Sequence, residues 1–354
     1  MGIKNSYFCL GLSIVAIALG NTSLVRALPL SPGDRLEVSI PDDSYFSRAY
    51  EVNQDGELEV PYLGHIPVRG LEPTEVEENL SQALIDKGFF LADSLVLTVQ
   101  ILQWAPVQVY VSGEVFRGGR VLINEPKKPP ETSISLEARQ ITGDYPRGRY
   151  LSNAIRAAGG VTPTADIKNI ILLRDDRETI IDIYGIFSGE SAEDVPLIAE
   201  DRIIVPTAES FQAELVRPSQ ITPPGIKVFI SNLTVPANSN ASSATGNKEE
   251  GITFPYGSRL SQAAISANCS GGIISTNGLR KIALMRVDQI TGKTTLLERS
   301  IEDLLSNSHN DADNPLLMPR DGVTCYDSGV SNLRDVFRTL GDILNPIDIL
   351  LRRF

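Results

Sequence analysis

The chain of 354 residues carries 32 Lys plus Arg against 44 Asp plus Glu, a formal net charge of −12. That length exceeds what one hydrophobic core serves, so two to four domains are expected. The acidic balance, with no long run of Lys or Arg, speaks against nucleic acid as a partner, because a phosphate backbone calls for a basic surface.

The first residues, MGIKNSYFCLGLSIVAIALGNTSLVRA, place one cation at Lys4 ahead of an apolar run from Tyr7 to Leu19 and end on Val25-Arg26-Ala27. This is the pattern of a secretory signal peptide over residues 1–27, cut after Ala27. The run is short for a membrane span, and an uncleaved anchor is the alternative. Cys9 would leave with the signal, and Ser6-Tyr7-Phe8 before it lacks the small-residue pattern of a lipid-modified cysteine. Cys269 and Cys325 then remain in an oxidising compartment, as a disulfide or as two buried thiols. A bridge would contribute about 4 kcal/mol in the chain-entropy model.

From Leu30, short alternating stretches (Leu36 to Ile40, Leu58 to Val60, Ile66 to Val68) are separated by Pro-Gly-Asp, Gln-Asp-Gly and Leu-Gly turns, the signature of strands and hairpins. A helix opens at Pro73-Thr74-Glu75 and puts Val76, Leu80, Ala83 and Leu84 on one face, and a strand from Ser94 to Ile101 follows. These elements predict a small α+β unit over 28–104. Its order of Pro32-Gly33-Asp34, Leu36, Val38, Tyr50, Val52, Asp55-Gly56, Val60-Pro61, Leu63-Gly64, Val68, Gly70-Leu71 and helix resembles the polysaccharide export domain of bacterial outer-membrane export proteins of the Wza type. The likeness runs unbroken over about 70 residues. Its glycines and prolines are turn and strand-end residues, not a reaction centre.

The rest of the body repeats. VQVYVSGEVFRGGRVLI (107–123), YLSNAIRAAGGV (150–161), IKNIILLR (167–174) and DVPLIAEDRIIVP (194–206) are answered by IKVFISNLTVP (226–236), RLSQAAISANCSGGI (259–273), LRKIALMR (279–286) and DNPLLMPRDGVTCYD (313–327). Leu151-Ser152 matches Leu260-Ser261, Leu173-Arg174 matches Met285-Arg286, and Pro196-Leu197 matches Pro315-Leu316. Two copies of one module are expected, at 105–215 and 216–329, each with a strand, a hairpin, one helix and further strands. They resemble the soluble ligand-binding β-grasp (SLBB) modules that follow the export domain in the same family. The first matches better, through Val111, Gly113, Glu114, Val115 and Ala157-Ala158-Gly159-Gly160; in the second, Ser231-Asn232-Leu233 replaces Ser112-Gly113-Glu114. The repeated residues are mostly turn and core types, so a small-molecule pocket is not the first expectation. The polar stretches 124–148 and 236–251 read as solvated insertions at the same relative place in each module.

No catalytic, metal or cofactor site emerges. His65 lies in an LGHIP turn and His309 in a polar loop, neither with a His or Cys neighbour at metal-ligand spacing. TGKTT at 291–295 lacks the earlier glycine of a phosphate loop, since position 287 is Val, and reads as a hairpin turn. Carboxylate pairs carry no information in a chain with 44 acidic residues.

The terminus, VSNLRDVFRTLGDILNPIDILLRRF (330–354), divides into two faces at helical spacing. Leu333, Val336, Leu340, Ile343 and Ile347 share one half, and Arg334, Arg338, Asp342 and Asn345 the other, with Pro346 expected to kink the helix. On the residues alone it packs against the chain's own domains, lies on a membrane surface, or lines a ring of helices around a water-filled lumen. In the Wza-type family such termini form an α-helical barrel through the outer membrane above a periplasmic vestibule, and the resemblance selects the third reading. It assigns Leu333, Val336, Leu340, Ile343 and Ile347 to lipid and Arg334, Arg338, Asp342 and Asn345 to the pore.

The resemblance thus implies a multidomain α+β protein that is not an enzyme: a homo-oligomeric ring, of octamer type, that passes capsular or extracellular polysaccharide from periplasm to cell surface. It implies as partners the exported polysaccharide, outer-membrane lipid, and an inner-membrane co-polymerase linked to a tyrosine autokinase. The alternative is a soluble periplasmic carbohydrate-binding or scaffold protein whose terminal helix packs on its own domains.

Overall fold

The computed structural model describes residues 28–125, 148–232, 251–269, 280–287 and 292–327. Residues 1–27, expected as a signal peptide, the terminal segment 330–354 and most of both polar insertions lie outside the described residues.

The described chain is a mixed α+β protein with three principal apolar cores in tandem. In the first, β1 (Arg35–Ser39) lies between β2 (Arg48–Glu51) and β5 (Thr98–Gln103), antiparallel to both, and β3 (Glu57–Val60) pairs with β4 (Gly64–Pro67). Leu36 and Val38 alternate with exposed Arg35, Glu37 and Ser39, so β1 buries one face. Helix α1 (Pro73–Asp86) starts where the sequence predicts, with Pro73 in its first turn and the Glu75 carboxylate accepting the Glu72 N–H at 2.8 Å. Val76, Leu80 and Leu84 fill the core beneath it. Strand β5 begins four residues later than expected, because the Ser94 and Leu95 N–H groups fold back onto the Leu91 carbonyl in a turn.

Two five-stranded sheets follow. The first contains β6 (Val107–Gly113), β7 (Gly119–Ile123), β8 (Ile170–Arg174), β9 (Arg177–Ile181) and β10 (Arg202–Val205) in the order β7-β6-β10-β8-β9. The second contains β11 (Gly225–Asn232), β12 (Ile252–Pro255), β13 (Arg280–Val287), β14 (Thr294–Ser300) and β15 (Gly322–Asp327) in the order β12-β11-β15-β13-β14. Strand for strand the topology is the same, down to a last strand parallel to the first and antiparallel to the third. Helix α2 (Leu151–Ala157) of the first sheet corresponds to α4 (Leu260–Ser266) of the second. The β13–β14 pairing sets Val287 opposite Thr294, so the last two residues of TGKTT, Thr294 and Thr295, open a strand of an antiparallel pair.

The repetition extends to single atoms. Arg174 holds both carboxylate oxygens of Asp201 and the Pro196 carbonyl, and Arg286 holds both oxygens of Asp321 and the Leu316 carbonyl. Asp201 also accepts the Ile198 N–H, as Asp321 accepts that of Met318. The preceding residues, Glu200 and Arg320, both take left-handed backbone, at φ 72° and 69°.

Two expectations need correction. Each module has a second short helix, α3 (Tyr184–Ser188) and α5 (Ile301–Ser306), too brief to show a helical period in sequence. The polar insertions do not occupy the same place: residues 124–148 follow β7, whereas 236–251 separate β11 from β12. The block 107–123 therefore contains two strands and its counterpart 226–236 only the first.

The modules also differ at the end of their first strand. Gly113 sits at φ 85°, where an added Cβ would lie 2.0 Å from the Val205 carbonyl oxygen. Its counterpart Asn232 is buried and donates to the Ala267 and Asn268 carbonyls, tying the strand to the end of α4. Beside Gly113, the Glu114 carboxylate accepts hydroxyls from Thr162 and Thr164 at 2.6 Å and Thr207 at 3.0 Å.

In the core of the second module a disulfide joins Cys269 to Cys325, with Cα atoms 5.8 Å apart. It ties the segment after α4 to β15, and both residues are fully buried. Replacing both cysteines with Ala is expected to cost about 2–4 kcal/mol in urea unfolding of the full chain, with the loss confined to the second module. Glu114 gives a pH signature. Burial acts to raise its pKa, but the three hydroxyl bonds outweigh burial and hold it below the ordinary value. Its stabilisation is therefore present above about pH 4.3 and lost as pH falls through the folded value. Glu114→Gln should flatten the acid limb of a thermal-stability profile.

Candidate functional site at the junction of the first two domains

The Pro-Gly-Asp turn ahead of β1 does more than reverse the chain. Gly33 takes φ 88°, and the turn directs the Asp34 side chain into a fully buried position at the boundary with the first five-stranded sheet. There it meets Arg149, also fully buried, which stands two residues before α2. Arg149 Nη1 donates to Asp34 Oδ1 and Oδ2, each at 2.8 Å. Nη2 donates to the Pro29 carbonyl at 3.0 Å and Ser31 Oγ at 2.8 Å, and Nε to the Leu197 carbonyl at 3.3 Å. All five guanidinium N–H groups can thus be occupied. Asp34 further accepts the backbone N–H groups of Ser31 and Ala105, both at 2.7 Å. The ring of Trp104 lies under the guanidinium, 5.1 Å from its carbon.

Burial pushes the Asp34 carboxyl above its ordinary value and the Arg149 guanidinium below its own, while mutual attraction and hydrogen bonding oppose both shifts. The bonds described are those of the charged forms, which keep the pair ionised. Such a pair adds little net stability over an apolar substitute, but losing one partner leaves a buried charge unpaired.

Beside the pair the two domains enclose a groove of about 1120 Å³. Arg69, Arg174 and Arg177 line it against six acidic residues, Glu72, Glu75, Asp175, Asp176, Asp182 and Glu193. Arg69 crosses it to Asp175 at 3.4 Å and to the Ala199 carbonyl at 3.3 Å. The walls carry both signs with an acidic excess and offer hydrogen bonds, which suits a hydroxylated ligand better than an anion or an apolar one.

Of the residues singled out in sequence, Asp34 is at this junction and Cys269 and Cys325 are far along the chain in the second module. Arg334, Arg338, Asp342, Asn345, Leu333, Val336, Leu340, Ile343 and Ile347 lie outside the described residues. His65 is exposed and faces Glu57 at 3.3 Å, and no group of three metal-ligating side chains occurs among the described residues. None of the described helices is long and apolar enough to cross a membrane. Arg149 escaped the sequence reading: it closes a polar insertion, and its partner is 115 residues away.

Removing either half of the pair should be costly. Asp34→Ala and Arg149→Ala are each expected to lose about 3–5 kcal/mol in denaturant unfolding, while the double replacement Asp34→Leu with Arg149→Met recovers much of the loss.

Comparison with known proteins places this architecture. Residues 25–102 match the family model described as polysaccharide biosynthesis/export protein. The chain is 28% identical over 188 residues to the EPS I polysaccharide export outer membrane protein EpsA of Ralstonia nicotianae, covering 51% of this chain and 43% of that one. It is 27% identical over 188 residues to EpsA of Ralstonia solanacearum, with the same coverage. It is 32% identical over 180 residues to the exopolysaccharide production protein ExoF of Rhizobium meliloti, covering 46% and 41%. The chain thus spans about two fifths of the length of these relatives. The family that residues 25–102 match is one of transport rather than catalysis, and over that stretch the chain is similar to polysaccharide export proteins of the Wza type.

Proposed function

We propose that the chain is a subunit of a homo-oligomeric outer-membrane channel that carries exopolysaccharide from the periplasm to the cell surface. The observation that carries the export role is the match of residues 25–102 to the polysaccharide biosynthesis/export family, joined by relatives named as polysaccharide export and outer membrane proteins. The domain order supports the rest of the reading. After the signal segment come the export domain and two repeated sheets, read as SLBB modules, and then a terminus with segregated faces.

The physics of that terminus favours an assembly over a lone span. From Leu333 to Phe354 a helix would run about 33 Å, close to a hydrocarbon core of about 30 Å. Alone, it would put Arg334, Arg338 and Asp342 against lipid, at a cost of several kcal/mol. In a ring the same residues, with Asn345, line water, while Leu333, Val336, Leu340, Ile343 and Ile347 meet lipid. The periplasmic domains form the vestibule below, and an inner-membrane co-polymerase delivers the chain. Motive force comes from polymer synthesis.

Deleting residues 330–354 is expected to leave a folded protein released by osmotic shock and unable to support export. Full export by the truncated chain would falsify the channel reading. Within the segment, Leu340→Arg should strip the protein from the outer-membrane fraction, whereas Asp342→Asn should leave it there.

A further inference from the structure

One feature of the export domain plays no part in its core or in the junction. Tyr45, Tyr62 and Phe89 form a contiguous patch of large rings with relative exposures of 45%, 69% and 43%. Tyr45 and Tyr62 stack with centroids 5.4 Å apart at an interplanar angle of 29°, and Phe89 lies 6.0 Å from Tyr62. Three separate connections supply them: the β1–β2 loop, the β3–β4 turn, and the segment after α1. Buried Phe46 anchors two of them, meeting Tyr45 and Phe89 edge-on at 5.3 Å each.

The patch is held rather than left loose. The Asp43 carboxylate accepts the backbone N–H groups of Tyr45, Phe46 and Ser47, and the Arg48 guanidinium donates to the Tyr45 carbonyl at 2.7 Å. Tyr62 stands at φ 63°, an uncommon conformation for a non-glycine residue and one that concentrates at functional sites. The Arg48 guanidinium lies 6.0 Å from the Tyr45 ring centre. Ring faces and polar edges are thus presented side by side, already fixed in place. A chain that merely needed solubility would not keep three such rings in water.

We propose that Tyr45, Tyr62 and Phe89 are a stacking platform for the sugar rings of a polysaccharide chain. The ligand class rests on the export reading above; the platform itself rests on the geometry. A pyranose presents C–H groups on its face and hydroxyls around its rim. The C–H groups suit the negative face of an aromatic ring, and the hydroxyls suit the tyrosine oxygens and Arg48. Size agrees: three rings of 150–250 Å² each, at these exposures, offer roughly 300 Å². That covers a few sugar units and falls well below the ~800 Å² per partner of a stable protein interface. Preorganised rings with few rotatable bonds lose little entropy on binding. A site of this size binds weakly, and a translocation path requires a site that releases what it holds.

The test is affinity electrophoresis of the detergent-solubilised full chain, in native gels cast with the polysaccharide secreted by the bacterium that encodes it. The native chain should be retarded. Tyr62→Ala should weaken apparent affinity about tenfold, the scale of one lost aromatic stack, and Tyr62→Phe should retain most of it. Tyr62 is exposed, so its truncation leaves the core intact, which an unchanged melting curve verifies. The proposal is overturned if the native chain runs unretarded, or if Tyr62→Ala binds as well as the native chain. It is also overturned if Tyr62→Ala changes the mass of the assembly in light scattering while retardation stays the same, which would mark the patch as a protein contact. Deletion of 330–354 separates the two readings. Retained binding with retained export overturns the channel and keeps the platform; lost export with no binding by the native chain overturns the platform alone.

Discussion

The architecture depends on burying one arginine and one aspartate together. A guanidinium or carboxylate taken out of water costs several kcal/mol, and the cost is offset only where every donor and acceptor finds a partner. Arg149 makes five hydrogen bonds to four residues in two segments: Pro29, Ser31 and Asp34 before the first sheet, and Leu197 before β10. The network closes further through Ser31, whose hydroxyl accepts the Ala199 N–H at 3.1 Å. Because the bonds are directional and all are needed at once, the export domain and the first module have few ways to sit other than this one. The pair therefore specifies an orientation more than it adds stability.

The second junction is made differently, and the repeat shows why. The position that corresponds to Arg149, two residues before the helix, is Ser258 in the second module; Leu317 donates its N–H to the Ser258 carbonyl as Leu197 does to that of Arg149. The backbone is kept and the ionic side chain is absent. Phe116 of the first module instead packs on the core of the second module, edge-on to Tyr256 at 5.9 Å. Gly160, at φ 88°, lets the connection pass close by: an added Cβ would lie 2.8 Å from Pro223. One junction is thus fixed by directed hydrogen bonds and the other by apolar packing, which tolerates small rotations more readily.

Legibility in the sequence followed the range of the forces involved. Helix α1 could be read because Pro73, Glu75 and the spacing of Val76, Leu80 and Leu84 are local signals. The repeat could be read because each copy buries the same alternating face. Helices α3 and α5 could not, being five and six residues long. The displaced second insertion was hidden because β12, at only four residues, lies beyond it and resembles loop sequence. Arg149 and the aromatic patch were out of reach for one reason: each is assembled from segments far apart in the chain, and no local pattern marks a residue whose role is to meet a distant one.

What the two modules retained under divergence indicates which constraint defines them. Their turns, insertions and outer strands differ, and the second adds an apolar cluster of Ala283, Met285 and Tyr326 on the face opposite its main core. Yet the Arg174–Asp201 and Arg286–Asp321 networks are superimposable in their partners, although the separation along the chain grows from 27 to 35 residues. Lengthening a closed loop by that much costs only about 0.2 kcal/mol, so extra residues there are cheap. Asp201 and Asp321 are almost fully buried, with carboxyls pushed upward by burial and held by the arginine opposite. Changing either partner would leave a buried group unpaired, a far larger penalty than loop growth. Sequence between the ends is free to drift while the ends are not, which is why Arg174 and Arg286 were among the clearest marks of the repeat.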